Sequence, residues 1–257
     1  MVDVADFAEF LALSTVMGLS IFFSLPVVMH RRAQGRISVL LLAVAIGILI
    51  FLLADVFSDV AVFLASPSVL YLTVPTYDAI FLFAVIVAFI LLYWIDNRAA
   101  TGVEQAPAWT ALIIALGIGF QNLTEGLVFG AAWAARLLSL ISVVFVGFLL
   151  QNVTEGFPIA APYLGRADRR WGVLTGFFLI GGLPTVVGGV IGYFYNSVPL
   201  DILFDGAAIG AIAYVILPMI RVAFRPAETT ALTQAKYSLV YLGVLIGFVI
   251  GFLANAI

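Results

Sequence analysis

The chain has 257 residues, of which 64% are hydrophobic and 10% charged, with a formal net charge of -3; a soluble domain is roughly 45–50% apolar and about 25% charged. That balance excludes a soluble fold, and apolar stretches recurring from end to end make the bilayer the solvent. With no cysteine and a single histidine, His30, disulfides, thiolate ligands and imidazole-rich metal sites are excluded too.

A hydrocarbon core about 30 Å thick is crossed by roughly 20 helical residues. Eight stretches meet this requirement: 7–29, 38–58, 75–95, 108–133, 138–163, 171–195, 201–221 and 237–256. The first is preceded and opened by Asp3, Asp6 and Glu9, acidic where a cleavable signal has basic residues. The segment 60–74 ahead of the third stretch is apolar, but Pro67 and Pro75 break it, so it reads as a partly embedded loop.

Arg31, Arg32 and Arg36 lie between spans one and two, and Arg98 follows span three. Arg166, Arg169 and Arg170 follow span five, and Arg221, Arg225 and Lys236 lie between spans seven and eight. Ten of the eleven basic residues thus share one side, leaving Arg136 on the other. By the positive-inside rule the majority side is cytoplasmic, which places both termini outside. Trp94, Trp109 and Trp171 fit the aromatic belts at span ends. All loops are short. The expectation is one domain over 1–257, an all-α polytopic membrane helix bundle in the cell membrane, with lipid rather than nucleic acid around it.

Spans four and five share a repeat. Gln121-Asn122-Leu123-Thr124-Glu125-Gly126 returns thirty residues later as Gln151-Asn152-Val153-Thr154-Glu155-Gly156. Consecutive spans run antiparallel, so the copies oppose each other, as in inverted-repeat transporters with a midplane site. Gln and Glu four apart, with Asn and Glu three apart, occupy one helical face. Each copy therefore presents one carboxylate and two amides. A carboxylate in hydrocarbon costs a few kcal/mol or more, and two facing each other call for a compensating cation. Two glutamates match a divalent charge, and amide carbonyls extend the oxygen shell. Oxygen ligands suit harder ions such as manganese or ferrous iron better than zinc.

Part of the repeat has plain structural roles: Gly126 and Gly156 let helices approach, and Thr124 and Thr154 bond back to the preceding turn. Were Gln121 and Gln151 at equal depth, Glu125 and Glu155 would lie about 12 Å apart along the axes. A shared site requires the helices to be offset or bent. Asp55, Asp59 and Asp205, with Asp201 nearby, form a candidate electronegative entrance. His30, beside Arg31, reads as an interfacial residue.

With these residues the chain resembles the ZIP (Zrt/Irt-like) family of divalent metal transporters. That family has eight spans with both termini outside, an H-N-x-P-E-G type motif in span four and, in many prokaryotic members, a close copy in span five. The continuation Phe157-Pro158-Ile159-Ala160-Ala161-Pro162 is similar to the family's E-G-x-x-x-A-x-P ending. The resemblance implies that Gln121 stands at a metal-binding histidine, that Asn122 and Glu125 keep the ligand positions, and that Gln151, Asn152 and Glu155 supply the second set. It implies a divalent metal (zinc, iron or manganese) as substrate, no organic cofactor, uptake toward the cytoplasm and homodimers. Glutamine replaces histidine, and threonine replaces proline, in both copies. Leu183 precedes Pro184 where members often have glutamate, which argues for one principal metal. Val215-Ile216-Leu217-Pro218 stands where many place a His-Glu pair.

The sequence thus predicts a transporter and not an enzyme. Two rivals are a non-transporting scaffold or sensor, and an intramembrane enzyme using Glu125 and Glu155 as an acid–base pair. H-E-x-x-H, G-x-S-x-G and the phosphate-binding G-x-x-x-x-G-K-[ST] do not occur.

Overall fold

The computed structural model describes residues 4–26, 36–65, 74–99, 107–163, 171–195, 197–225 and 229–255. Eight helices in it are long and apolar enough to cross a membrane. They are α1 (Val4–Leu19, continued by a 3-10 turn Ser20–Ser24), α2 (Arg36–Ala65), α3 (Val74–Ala99), α4 (Pro107–Ala134), α5 (Leu138–Ala160, continued by a 3-10 turn Ala161–Tyr163), α6 (Trp171–Phe194), α7 (Val198–Ala223) and α8 (Thr230–Asn255). No strand occurs among the described residues.

Several expectations need correction. Helix α2 runs on to Ala65, so 60–65 is helix and not loop; an unbroken run of apolar residues continues the backbone ladder. Pro75 falls in the first turn of α3, where a missing N–H breaks no helical bond. Helix α8 begins seven residues before the predicted span, so Lys236 is helical, its ammonium donating to the Arg225 carbonyl at 2.7 Å. Likewise Arg221 belongs to the last turn of α7. Residues 66–73, with Pro67, and His30, Arg31, Arg32, Arg166, Arg169 and Arg170 lie outside the described residues. Trp94 and Trp171 are exposed, as belt residues are. Trp109 is half-buried at the start of α4, its indole N–H donating to Asp96 at 2.9 Å.

The most extensive seams join α4 to α6, α2 to α8 and α3 to α7, and α1 packs on α5 and α6. Glycine explains their closeness. A Cβ on Gly126 would stand 2.1 Å from the Thr185 carbonyl oxygen, and one on Gly188 would stand 1.9 Å from that of Leu123. Backbones at such range gain van der Waals contact and Cα–H···O bonds, the means of association left where lipid is as apolar as leucine. Two groups of helices result, α1/α4/α5/α6 and α2/α3/α7/α8, meeting chiefly along α4–α7, α2–α5 and α5–α8. Alternation of direction gathers Asp6, Asp59, Asp78 and Asp201 at one end, hereafter the acidic end, and Arg36, Arg221, Arg225 and Lys236 at the other. Toward the basic end the groups are joined by one continuous apolar core, including Ile48, Leu52, Ile114, Ile118, Phe178 and Val215.

Candidate cation site

Helices α4 and α5 form a hairpin closed by a tight turn at 135–137, in which Arg136 takes a left-handed φ of 57°. Its guanidinium pairs with Asp6 of α1 at 2.5 Å. The hairpin brings the two motif copies together. The Asn152 amide donates to Glu125 Oε2 at 3.4 Å, and Asn122 and Gln151 stand beside the Glu155 carboxylate. With position 125 opposite 152 and 122 opposite 155, the two glutamates differ by about three residues, roughly 4.5 Å of helical rise. The offset that a shared site requires is therefore present.

All six motif side chains are buried: Gln121, Asn122, Glu125, Gln151, Asn152 and Glu155. Their amide nitrogens are largely engaged. Gln121 Nε2 donates to Glu125 Oε1 at 3.3 Å, Asn122 Nδ2 to the Gly181 carbonyl at 2.9 Å, and Asn152 Nδ2 also to the Phe148 carbonyl at 3.0 Å. Their oxygens are not. Gln121 Oε1, Asn122 Oδ1, Gln151 Oε1, Asn152 Oδ1 and both Glu155 oxygens have no partner in hydrogen-bond geometry. Orphaned buried acceptors in such number are rare, because each forfeits its hydration.

The repeat's other residues behave as their chemistry suggests. Thr154 Oγ1 donates to the Gln151 carbonyl at 2.7 Å and Thr124 Oγ1 to that of Phe120 at 3.4 Å. Gly126 sits on α6 and Gly156 against Ser24 and Ile21 of the α1 end.

Next to this set, between the two helix groups, is a cavity of about 30 Å³ lined by Asp55, Asp59, Gln121, Glu125, Gln151 and Asp205, with Val56, Thr124, Val128 and Phe148. It has room for about two waters. Asp55, Asp59 and Asp205, chosen from sequence as an entrance, thus share one cavity with Gln121, Glu125 and Gln151. Asp59 is exposed and Asp205 buried. Asn122, Asn152 and Glu155 lie outside the cavity lining. Thr124 was not anticipated as a lining residue; its place one residue from Glu125 was the available signal.

Among the described residues no three His, Cys, Asp or Glu side chains are grouped closely enough to hold a metal. Any cation held here would draw on the amide oxygens. Leu183 is exposed on the outer face of α6, so a glutamate at that position would point away from the hairpin. Val215 and Ile216 are buried in the apolar core. Sequence reasoning also missed Asp96, which accepts from Trp109 and from the Tyr214 hydroxyl and ties α3, α4 and α7 together near the basic end.

No protein-family model matches the chain, and no curated protein matches it.

Proposed function

We propose that the chain is a divalent-cation transporter of ZIP-like type, carrying the ion through a midplane site between α4 and α5 by alternating access. One observation carries this reading: the six motif side chains converge in the bundle and leave six buried oxygens without a hydrogen-bond donor. Hydrogen-bonding glue between helices would leave donors and acceptors matched. A surplus of acceptors calls for a cation. The acidic cavity beside them supplies an approach route that concentrates positive ions, and the apolar core toward the basic end is the barrier an ion must be carried past. The motif resemblance supports the same assignment, with the metal as substrate, no organic cofactor, and uptake from the acidic end into the cytoplasm across the cell membrane.

The test is uptake of manganese, iron(II) and zinc into proteoliposomes containing the purified chain. Time-dependent, saturable accumulation of at least one ion is the expected result. Ion binding without accumulation would favour a sensor, and neither binding nor accumulation would remove the transport reading.

A further inference from the structure

The acidic cavity lies where the two helix groups meet, and both groups line it. Gln121, Glu125 and Gln151 come from the α4–α5 hairpin, Asp55 and Asp59 from α2, and Asp205 from α7. Four carboxylates and no basic side chain stand among its described lining residues. Asp55 and Asp59 are close enough to Glu125 to repel its charge, Asp59 is close enough to repel that of Asp205, and the Thr124 hydroxyl of α4 stands beside Asp205. Carboxylates alone make no binding site, but the two glutamines supply a second observation. Gln121 and Gln151 are only 1% and 2% exposed. Each turns its amide nitrogen to the glutamate of its own motif copy, Gln121 to Glu125 at 3.3 Å and Gln151 to Glu155. The Oε1 atom of each has no donor. A primary amide whose nitrogen is engaged in this way has only its oxygen to offer, and both glutamines offer it at a cavity with room for about two waters.

We propose that a divalent cation held at Gln121, Gln151 and Glu125 is also met by Asp55 and Asp205, directly or through a cavity water, so that the ion bridges the two helix groups. This rests on the cation reading of the motif and goes beyond it, because the repeat lies wholly on α4 and α5 and the sequence gives Asp55 and Asp205 only an entrance role. The two roles differ physically. An entrance carboxylate acts through its field, which salt screens. A carboxylate in the ion's own shell acts at short range, away from bulk solvent, and is screened far less. Asp205 is buried, Asp55 half-buried and Asp59 exposed, so Asp59 keeps the entrance role. Among the described residues no three carboxylates are grouped closely enough to hold an ion by themselves; amide oxygens and water complete the shell. A shell made of oxygens, water included, suits hard cations such as Mn2+ and Mg2+.

The experiment is titration of the full chain in detergent with MnCl2, following the loss of the free Mn2+ resonance signal. It is run in choline chloride at about 0.1 M and about 1 M, where the Debye length is about 10 Å and about 3 Å. Asp205→Asn and Asp55→Asn should each weaken Mn2+ binding at least about tenfold at both ionic strengths, the effect of removing a charge from the ion's shell. Asp59→Asn should lose affinity at the lower ionic strength and match the parent at the higher, which sets the scale of a purely screened effect. Parent-like affinity at the higher ionic strength in either Asp205→Asn or Asp55→Asn would reduce that residue to a source of field. The bridge would then be overturned, with the cation reading left standing by the parent's own binding. If Asp205→Asn fails to fold, Asp55→Asn decides by the same comparison. A parent protein that binds no Mn2+ at either ionic strength would sink the cation reading and this inference with it.

Discussion

Replacing Gly188 by alanine tests whether glycine contacts set the position of the α4 motif. The new Cβ would lie 1.9 Å from the Leu123 carbonyl oxygen, 1.5 Å inside the 3.4 Å at which ordinary contact begins. The obstacle is backbone, so no side chain can swing aside and α4 and α6 must part. Overpacking of this kind costs about 1–3 kcal/mol; the upper end applies here, offset by roughly 1 kcal/mol from the better helix propensity of alanine. A net loss of about 2 kcal/mol follows, equivalent to roughly 4–8 °C in Tm for a chain of this size. Gly147→Ala is the control. Its Cβ would meet nothing within 4 Å, so only the propensity gain of up to about 1 kcal/mol remains. Thermal unfolding in detergent, followed by tryptophan fluorescence, compares the two. If Gly188→Ala melts at or above the temperature of Gly147→Ala, the packing argument for the α4–α6 seam is wrong.

Asp96→Ala should destabilise the chain by about 1–3 kcal/mol for each donor stranded, here the Trp109 indole and the Tyr214 hydroxyl. Asp96→Asn, which retains a carbonyl, should lose less in the same melting assay. Arg136→Gly and Arg136→Ala both remove the pair with Asp6, but only glycine accepts the left-handed backbone without strain. The glycine variant should therefore be the more stable by about 1 kcal/mol, and a more stable alanine variant would contradict the turn geometry. Because the chain has no cysteine, Ala5→Cys and Ala254→Cys can be labelled without background. Both should react with an impermeant maleimide added to intact cells, and protection of either one would overturn the topology inferred from the basic residues.

Much of this was legible in the sequence. The eight helices were visible because a bilayer imposes a length and a polarity that any window of residues reports. Errors came at the ends, where apolar runs continue past the length a bilayer requires: α2 outlasts its predicted span by seven residues, to Ala65. Spacing alone placed Gln121, Asn122 and Glu125 on one face, and their counterparts on another. It could not supply the axial offset of α4 and α5, which depends on the turn at Arg136 and on where Gly126 and Gly156 let neighbouring helices settle. Nor could it say which asparagine of one helix stands beside which glutamate of the other, Asn152 at Glu125 and Asn122 at Glu155, since that follows from the offset. Asp96 went unnoticed because its partners, Trp109 and Tyr214, are remote in sequence and each has an ordinary reading, one as a belt residue and the other as core.

The hairpin also bears on how the chain enters the bilayer. Its two helices are consecutive, joined by a three-residue turn, and they carry both motif glutamates before α6, α7 or α8 has been synthesised. Either helix alone would bring a carboxylate and two amides into lipid unassisted, at a few kcal/mol or more for the carboxylate. Paired, each glutamate arrives with an asparagine of the other strand beside it, Asn152 at Glu125 and Asn122 at Glu155. Inserted as a hairpin, the two helices would bring polar groups that already face one another, and the later helices would close around them.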